Sequence, residues 1–210
     1  MRCAYNLTRV SMHYRHEVFS AGLRANGLSV RTGFPPDENS PGDVLLIWNR
    51  YGAYHAAAER FEKQGGIVLV AENGFLGKDT NGQQHYAIAL HGHNGSGTVP
   101  DGDAERWNAL GVDLSPWRAV GQHVLVCPNR SFGAPNLAMP VDWASDVARR
   151  ASRITKREIR MRPHPGNDAP KKPLSDDLVD CWAVVIWASS AGVHALIAGV
   201  PVICESPYWI

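Results

Sequence analysis

No apolar stretch in this 210-residue chain approaches the roughly 20 residues that cross a bilayer as a helix. The opening segment, Met1-Arg2-Cys3-Ala4-Tyr5-Asn6-Leu7, lacks the apolar centre of a secretion signal. Cysteine is scarce, with four residues far apart and no C-x-x-C spacing, so the common zinc and dithiol arrangements are excluded. Net charge is nearly absent: 21 basic against 20 acidic residues leave +1, which by itself indicates neither a nucleic-acid nor an acidic partner. There is no internal repeat and no low-complexity tract. A reducing, cytoplasmic setting without a membrane span is therefore expected, with Cys127, Cys181 and Cys204 serving as small core residues beside apolar runs. What is present is the composition of a globular chain, 44% hydrophobic and 20% charged. Seven tryptophans and nine histidines suit a lined cleft.

Six short apolar runs punctuate the chain: 44–48, 67–71, 123–127, 159–161, 182–187 and 200–204. Most are continuous rather than alternating, as strands buried on both faces of a parallel sheet tend to be. Helical spacing lies between several of them. Tyr51, Tyr54, Ala58 and Phe61 recur on one face before Gly65-Gly66, and a second pattern runs from His16 to Asn26, closed by Gly27. Asp142 is the expected N-cap of a helix carrying Trp143, Val147, Ala151 and Ile154. Strand alternating with helix predicts an α/β architecture. Residues 74–117, rich in Gly, Asn, Asp and His, read as a functional loop region, and a boundary within 118–142 would give two lobes. The chain ends just after its last expected strand, as a minimal fold or a shortened one would.

Three segments carry candidate chemistry. Trp187-Ala188-Ser189-Ser190-Ala191-Gly192 reads as strand, small-residue turn and helix start, where hydroxyls and amides can converge on a phosphate. The alternative is a serine cap on a packed helix. Arg162-Pro163-His164-Pro165 is a strand end entering a rigid turn, so His164 is held at a fixed place beside Arg162. Such a histidine could contact a phosphate or protonate a leaving one, or merely mark a surface turn. Glu72-Asn73-Gly74 places a carboxylate at another strand end, either catalytic or solvated.

In their order along the chain these segments resemble one family. Glu72-Asn73-Gly74-Phe75-Leu76 resembles the E-D-G-F-L signature of capsule polysaccharide biosynthesis proteins, the Kdo transferases of bacterial capsules. Arg162-Pro163-His164-Pro165 is similar to their R-x-H-P turn and to the HP motif of bacterial sialyltransferases. Ser189-Ser190, followed by Ala195-Leu196 and Gly199-Val200-Pro201-Val202-Ile203, resembles the SS motif and its donor-binding helix. The resemblance implies a GT-B-like fold of two Rossmann-like lobes with parallel sheets, in a minimal version. It assigns residues 1–125 to an acceptor-side lobe and 126–210 to a nucleotide-sugar lobe. It also implies a metal-independent glycosyltransferase that needs no cofactor and takes a nucleotide-sugar as co-substrate. Glu72 and His164 would be catalytic; Arg162, His164, Ser189, Ser190, Gly192 and His194 would hold the donor; Asn73 and Gly74 would lie on the acceptor side. Two positions depart from the pattern. Asn73 replaces the second acid, and His194 stands where the family carries a ribose-contacting glutamate, so CMP-Kdo does not follow as the donor.

Weaker signals remain. His91-Gly92-His93 has H-x-H spacing without a third ligand, so it reads as an acceptor-lining loop rather than a metal site. Arg149, Arg150, Arg153, Lys156, Arg157, Arg160 and Arg162 form a basic run. The run either complements a helix end or tracks a phosphate backbone. The acceptor is accordingly a glycan or small-molecule hydroxyl, or a hydroxymethylated pyrimidine in phage-type DNA. A nucleotide-sugar epimerase or hydrolase, and a degenerate nucleotide-binding module, are the alternatives.

Overall fold

The computed structural model describes residues 2–8, 16–79, 81–131, 137–166 and 172–209. The chain divides into two units, Met1–Pro100 and Asp101–Ile210. This division precedes the expected 125/126 boundary because residues 115–122 bond into the second unit. Ser115 N donates to Ile197 O at 2.9 Å, Arg118 N to Gly199 O at 2.7 Å, and Gln122 N to Asp180 O at 2.7 Å.

The first unit contains β1 (Cys3–Asn6), α1 (His16–Ala25), β2 (Ser29–Thr32), β3 (Val44–Trp48), α2 (Gly52–Lys63), β4 (Ile67–Lys78) and β5 (Gln84–Leu90). Its sheet runs β2-β1-β3-β4-β5, parallel except for β5, which is antiparallel to β4. All of β3 is buried, which accounts for its unbroken apolar sequence. One face packs Leu45, Ile47, Val68 and Val70 against Ala57, Ala58 and Phe61 of α2. The other packs Ala4, Val44, Leu46 and Trp48 against Phe19 and Leu23 of α1. Gly65, at φ 79°, ends α2 in the left-handed conformation, and Gly66 N closes the turn onto Phe61 O at 3.0 Å.

Part of the expected loop region is ordered ribbon. β4 continues past its last residue paired with β3, Ala71 opposite Trp48, and pairs with β5 from Leu69 opposite Leu90 to Lys78 opposite Gln84. The register between Asn73 and Lys78 is irregular, as Gly74 and Gly77 allow. Local composition suggests a loop, but cross-strand pairing and the packing of Tyr86 against Phe19 and Trp48 override it.

The second unit contains α3 (Glu105–Ala109), β6 (His123–Cys127), α4 (Trp143–Ile154), β7 (Glu158–Met161), α5 (Leu174–Leu178), β8 (Cys181–Ile186), α6 (Ala191–Ile197) and β9 (Val202–Cys204). Its sheet, β7-β6-β8-β9, is parallel throughout. Trp143 and Val147 of α4 cover one face. Leu178 of α5 and Ala195 of α6 cover the other. Asp142 stands at the N-cap of α4, but its side chain makes no capping bond; its carbonyl accepts from Asp146 N at 3.0 Å instead. Burial pushes the Cys127 thiol up to about 12, in keeping with a core role. Among the described residues no helix is long and apolar enough to cross a membrane.

Candidate functional site

In an open parallel sheet, ligands bind beyond the carboxyl ends of the strands, where neighbouring connections leave for opposite faces. In the second unit that point lies between β6, which leads to α4, and β8, which leads to α6. The loop after β6 carries Asn129 and Arg130, and the turn after β8 carries Ser189 and Ser190. Asn129 Oδ1 accepts from Ala188 N at 3.3 Å, tying the two connections together. Trp187 Nε1 donates to Leu137 O at 2.9 Å and fixes the turn a second time. Ser189 Oγ accepts from Ala191 N at 3.2 Å. Ser190 caps α6 in helical conformation with no side-chain cap bond, and it is exposed.

His164 follows β7, which pairs with β6 through Val126 and Met161. Arg162 N extends that pairing to Val126 O at 2.9 Å. The His164 imidazole is held below the ordinary histidine value first by burial and second by the charge of Arg130. Its Nδ1 is buried without a hydrogen-bond partner. The structure thus gathers His164, Ser189 and Ser190 on one sheet edge and adds Asn129 and Arg130, which sequence reasoning passed over. The signal for them was positional: both immediately follow the unbroken apolar run of β6.

Arg162 is placed differently. Its side chain is only 12% exposed, and the guanidinium pairs with Asp177 and donates to Lys172 O at 2.9 Å. Lys172 Nζ reaches the same carboxylate at 2.8 Å. Arg162 therefore braces the crossover through α5. Gly192 is a packing position: a side chain there would meet Ile186 Cδ1 at 2.6 Å, and its amide donates to Ser189 O at 3.0 Å. His194 opens with Arg118, Ser175, Leu178 and Ala198 onto a pocket of about 360 Å³ between α5 and α6. Leu178 precedes the amino end of β8 and Ala198 that of β9, so the pocket is not at the carboxyl edge.

In the first unit Glu72 sits where β4 passes the end of β3, at the carboxyl edge of the parallel strands. Strand alternation puts it on the face of Val68 and Val70, and puts Asn73 on the opposite face with Ala71 and its cross-strand partner Tyr86. Gly74 lets the ribbon close, since a side chain there would meet the His85 backbone at 3.0 Å. His91 is elsewhere. Its amide donates to Val68 O at 2.8 Å, four strand positions and roughly 13 Å from Glu72. With φ at 65°, His91 pairs its Nδ1 with Glu62 Oε1 at 2.8 Å, and Arg50 meets both oxygens of that carboxylate, each at 2.7 Å. Burial raises the Glu62 carboxyl, but hydrogen bonds from Arg50 and His91 outweigh it and hold the group below its ordinary value. His93 is depressed first by burial and second by Arg50. Among the described residues no three His, Cys, Asp or Glu side chains assemble as a metal site.

The equivalent point in the first unit lies between β1 and β3. There, too, is a feature without a periodic signal: Asn6, Thr8, His16 and Ser20 form a buried polar cluster. Asn6 Nδ2 donates to Ser20 Oγ at 2.9 Å, and Asn6 Oδ1 accepts from Thr8 Oγ1 at 2.6 Å. His16 Nδ1 lies 2.8 Å from Thr8 O, so that nitrogen carries the proton.

Much of the basic run is paired within the second unit. Arg149 and Arg150 meet Asp146, Arg150 also meets Glu205, and Arg160 meets Glu158. Arg157 donates to Gly121 O at 3.0 Å and lies 4.2 Å over the Trp182 ring.

No family model and no curated protein matches the chain. Solved structures do. The Thermosulfurimonas dismutans KpsC beta Kdo 2,7 transferase superposes with a TM-score of 0.61 at 16% identity, covering 97% of this chain and 78% of that one. The beta Kdo 2,4 transferase of KpsC from the same organism superposes at 0.62 with 13% identity, covering 96% of this chain and 79% of that one. At such identities the likeness is one of fold, and the fold is the GT-B-like Rossmann type of these glycosyltransferases.

Proposed function

We propose that the chain is a metal-independent glycosyltransferase that moves a sugar from a nucleotide-sugar to a hydroxyl acceptor. The observation that carries this reading is the convergence of three connections, after β6, β7 and β8, at the switch point of the second unit. The likeness in fold to two Kdo transferases supports it. The donor phosphate would rest against Ser189, Ser190 and His164. The acceptor oxygen attacks the anomeric carbon as its bond to the phosphate oxygen breaks and the electron pair leaves with the phosphate. Glu72 receives the acceptor proton, and His164 supplies one to the leaving phosphate. Arg162 acts as a brace for the His164 turn.

A glycan or small-molecule hydroxyl is the favoured acceptor, because carboxylates of the same unit already pair much of the basic run that a DNA backbone would need. Thermal-shift titration with UDP-, CMP-, GDP- and TDP-sugars tests the donor half. One class should stabilise the chain, and Ser189→Ala with Ser190→Ala should weaken it by about 1.5–3 kcal/mol for each lost bond to a charged oxygen. Stabilisation that the double variant leaves unchanged would remove this edge as the donor site. Transfer assays with a glycan and with hydroxymethylated duplex DNA then decide the acceptor.

A further inference from the structure

We infer that the pocket between α5 and α6 binds a small carboxylic acid with an apolar body, held as its anion by Arg118. The site is separate from the carboxyl edge and does not depend on the glycosyltransferase reading. It opens where α5 ends before β8 and α6 ends before β9, at the end of the second unit opposite to the Ser189 turn. Its volume of about 360 Å³ falls within the roughly 300–1,000 Å³ that small-molecule sites occupy.

Arg118 is fixed in place by the fold. Its amide donates to Gly199 O at 2.7 Å, just beyond α6. Its Nη1 donates to Leu178 O at 2.5 Å and to Cys181 O at 3.0 Å. Both of those acceptors are neutral carbonyls, and among the described residues no carboxylate forms an ion pair with Arg118. Asp177, on α5, is taken by Arg162 and Lys172 instead. Nε and Nη2 of Arg118 have no partner among the described residues, and they are the side of the guanidinium that meets both oxygens of a carboxylate. From α6, the His194 imidazole lines the same pocket, makes no hydrogen bond among the described residues and supplies a further donor.

The lining selects the class of ligand. One unpaired guanidinium matches one negative charge. The Ser175 hydroxyl reaches the Asp176 carboxylate at 3.4 Å, and an acid so close disfavours a dianion such as a phosphate monoester. Leu174, Leu178, Val179 and Ala198 complete the wall, so a hydrocarbon body attached to the carboxylate is buried against apolar side chains. Val179 is 62% exposed, apolar surface at the rim that such a body covers.

The experiment is an NMR titration of the full chain with benzoate, 3-phenylpropionate and octanoate, each beside its primary amide, at neutral pH and constant ionic strength. The His194 ring and the Val179 methyls report on the pocket, assigned by their loss in His194→Gln and Val179→Asp. At least one acid should saturate these shifts with an affinity about ten-fold or more above that of its amide, the scale of hydrogen bonds to a charged group. Arg118→Lys keeps the charge but loses the fork, and should weaken the acid by about ten-fold. Val179→Asp places a like charge at an exposed rim position where folding is little affected. It should weaken the acid and spare the amide. Acids that bind no tighter than their amides, no saturation with any of the three, or an acid affinity that neither variant changes would overturn the assignment. A nucleotide-sugar that stabilises the chain should bind together with the acid. Mutual exclusion would make the pocket part of the donor site and overturn a separate one. If the acid binds and no nucleotide-sugar does, the glycosyltransferase reading fails and the carboxylate site stands.

Discussion

Glu72 and Asn73 are adjacent in the chain yet face opposite sides of one strand, so they cannot act on the same hydroxyl from the same side. A single carboxylate therefore has to accept the acceptor proton in the proposed reaction. Glu72→Gln keeps the shape and removes the basicity. Turnover at saturating donor should fall by about 100-fold or more, while nucleotide affinity stays close to that of the parent. Parent-like turnover would take Glu72 out of the chemistry. His93 offers a separate test, of electrostatics. Burial, and then Arg50, hold its imidazole below the ordinary 6.5, so the folded chain resists a proton that the unfolded chain accepts. Stability from this source is present above pH 6.5 and is lost as pH falls below it, with proton uptake on unfolding. Urea denaturation across that interval should show the decline, and His93→Gln should flatten it. An equal slope in the variant would show that His93 carries none of it. Glu62, Asp177 and Glu205, all held low, add a loss of the same sign only in stronger acid.

At the scale of elements, α6 depends on how it stops. Gly199 adopts φ 71°, and a side chain there would collide with the carbonyl of Pro116, in the segment that hydrogen-bonds to Ile197 and Gly199. Gly199→Ala should cost about 2 kcal/mol or more, from left-handed strain and displacement of that segment. Equilibrium unfolding measures it, and a loss within a few tenths would mean the segment moves aside freely. The helices were legible because their apolar faces and terminal glycines are local signals: the His16–Asn26 and Tyr51–Phe61 patterns became α1 and α2. β3, β4 and β6 were legible as unbroken apolar runs. β1 and β2 were not, being four residues each, with Asn6, Arg31 and Thr32 interrupting any period. The β4–β5 ribbon was hidden because its stability lies in pairing between distant residues, which composition does not encode. The same reason divides the candidate site. His164, Ser189 and Ser190 could be read from motifs, whereas the diversion of Arg162 to Asp177 and the place of Arg130 depend on neighbours far along the chain.

The whole molecule comprises two α/β units, each with its own core and its own switch point, in a fold shared with Kdo transferases at 16% and 13% identity. A GT-B-like fold hosts transferases and non-transferases alike, so the chemistry has to be argued from the site and tested by its product. Nucleotide release measured with and without a hydroxyl acceptor separates these outcomes. With a donor that stabilises the chain, release should depend on acceptor, match the amount of sugar transferred and fall in His164→Ala while donor binding persists. Acceptor-independent release would make the chain a hydrolase or epimerase. Binding without release from any donor, acceptor present, would contradict the account and leave a nucleotide-binding module.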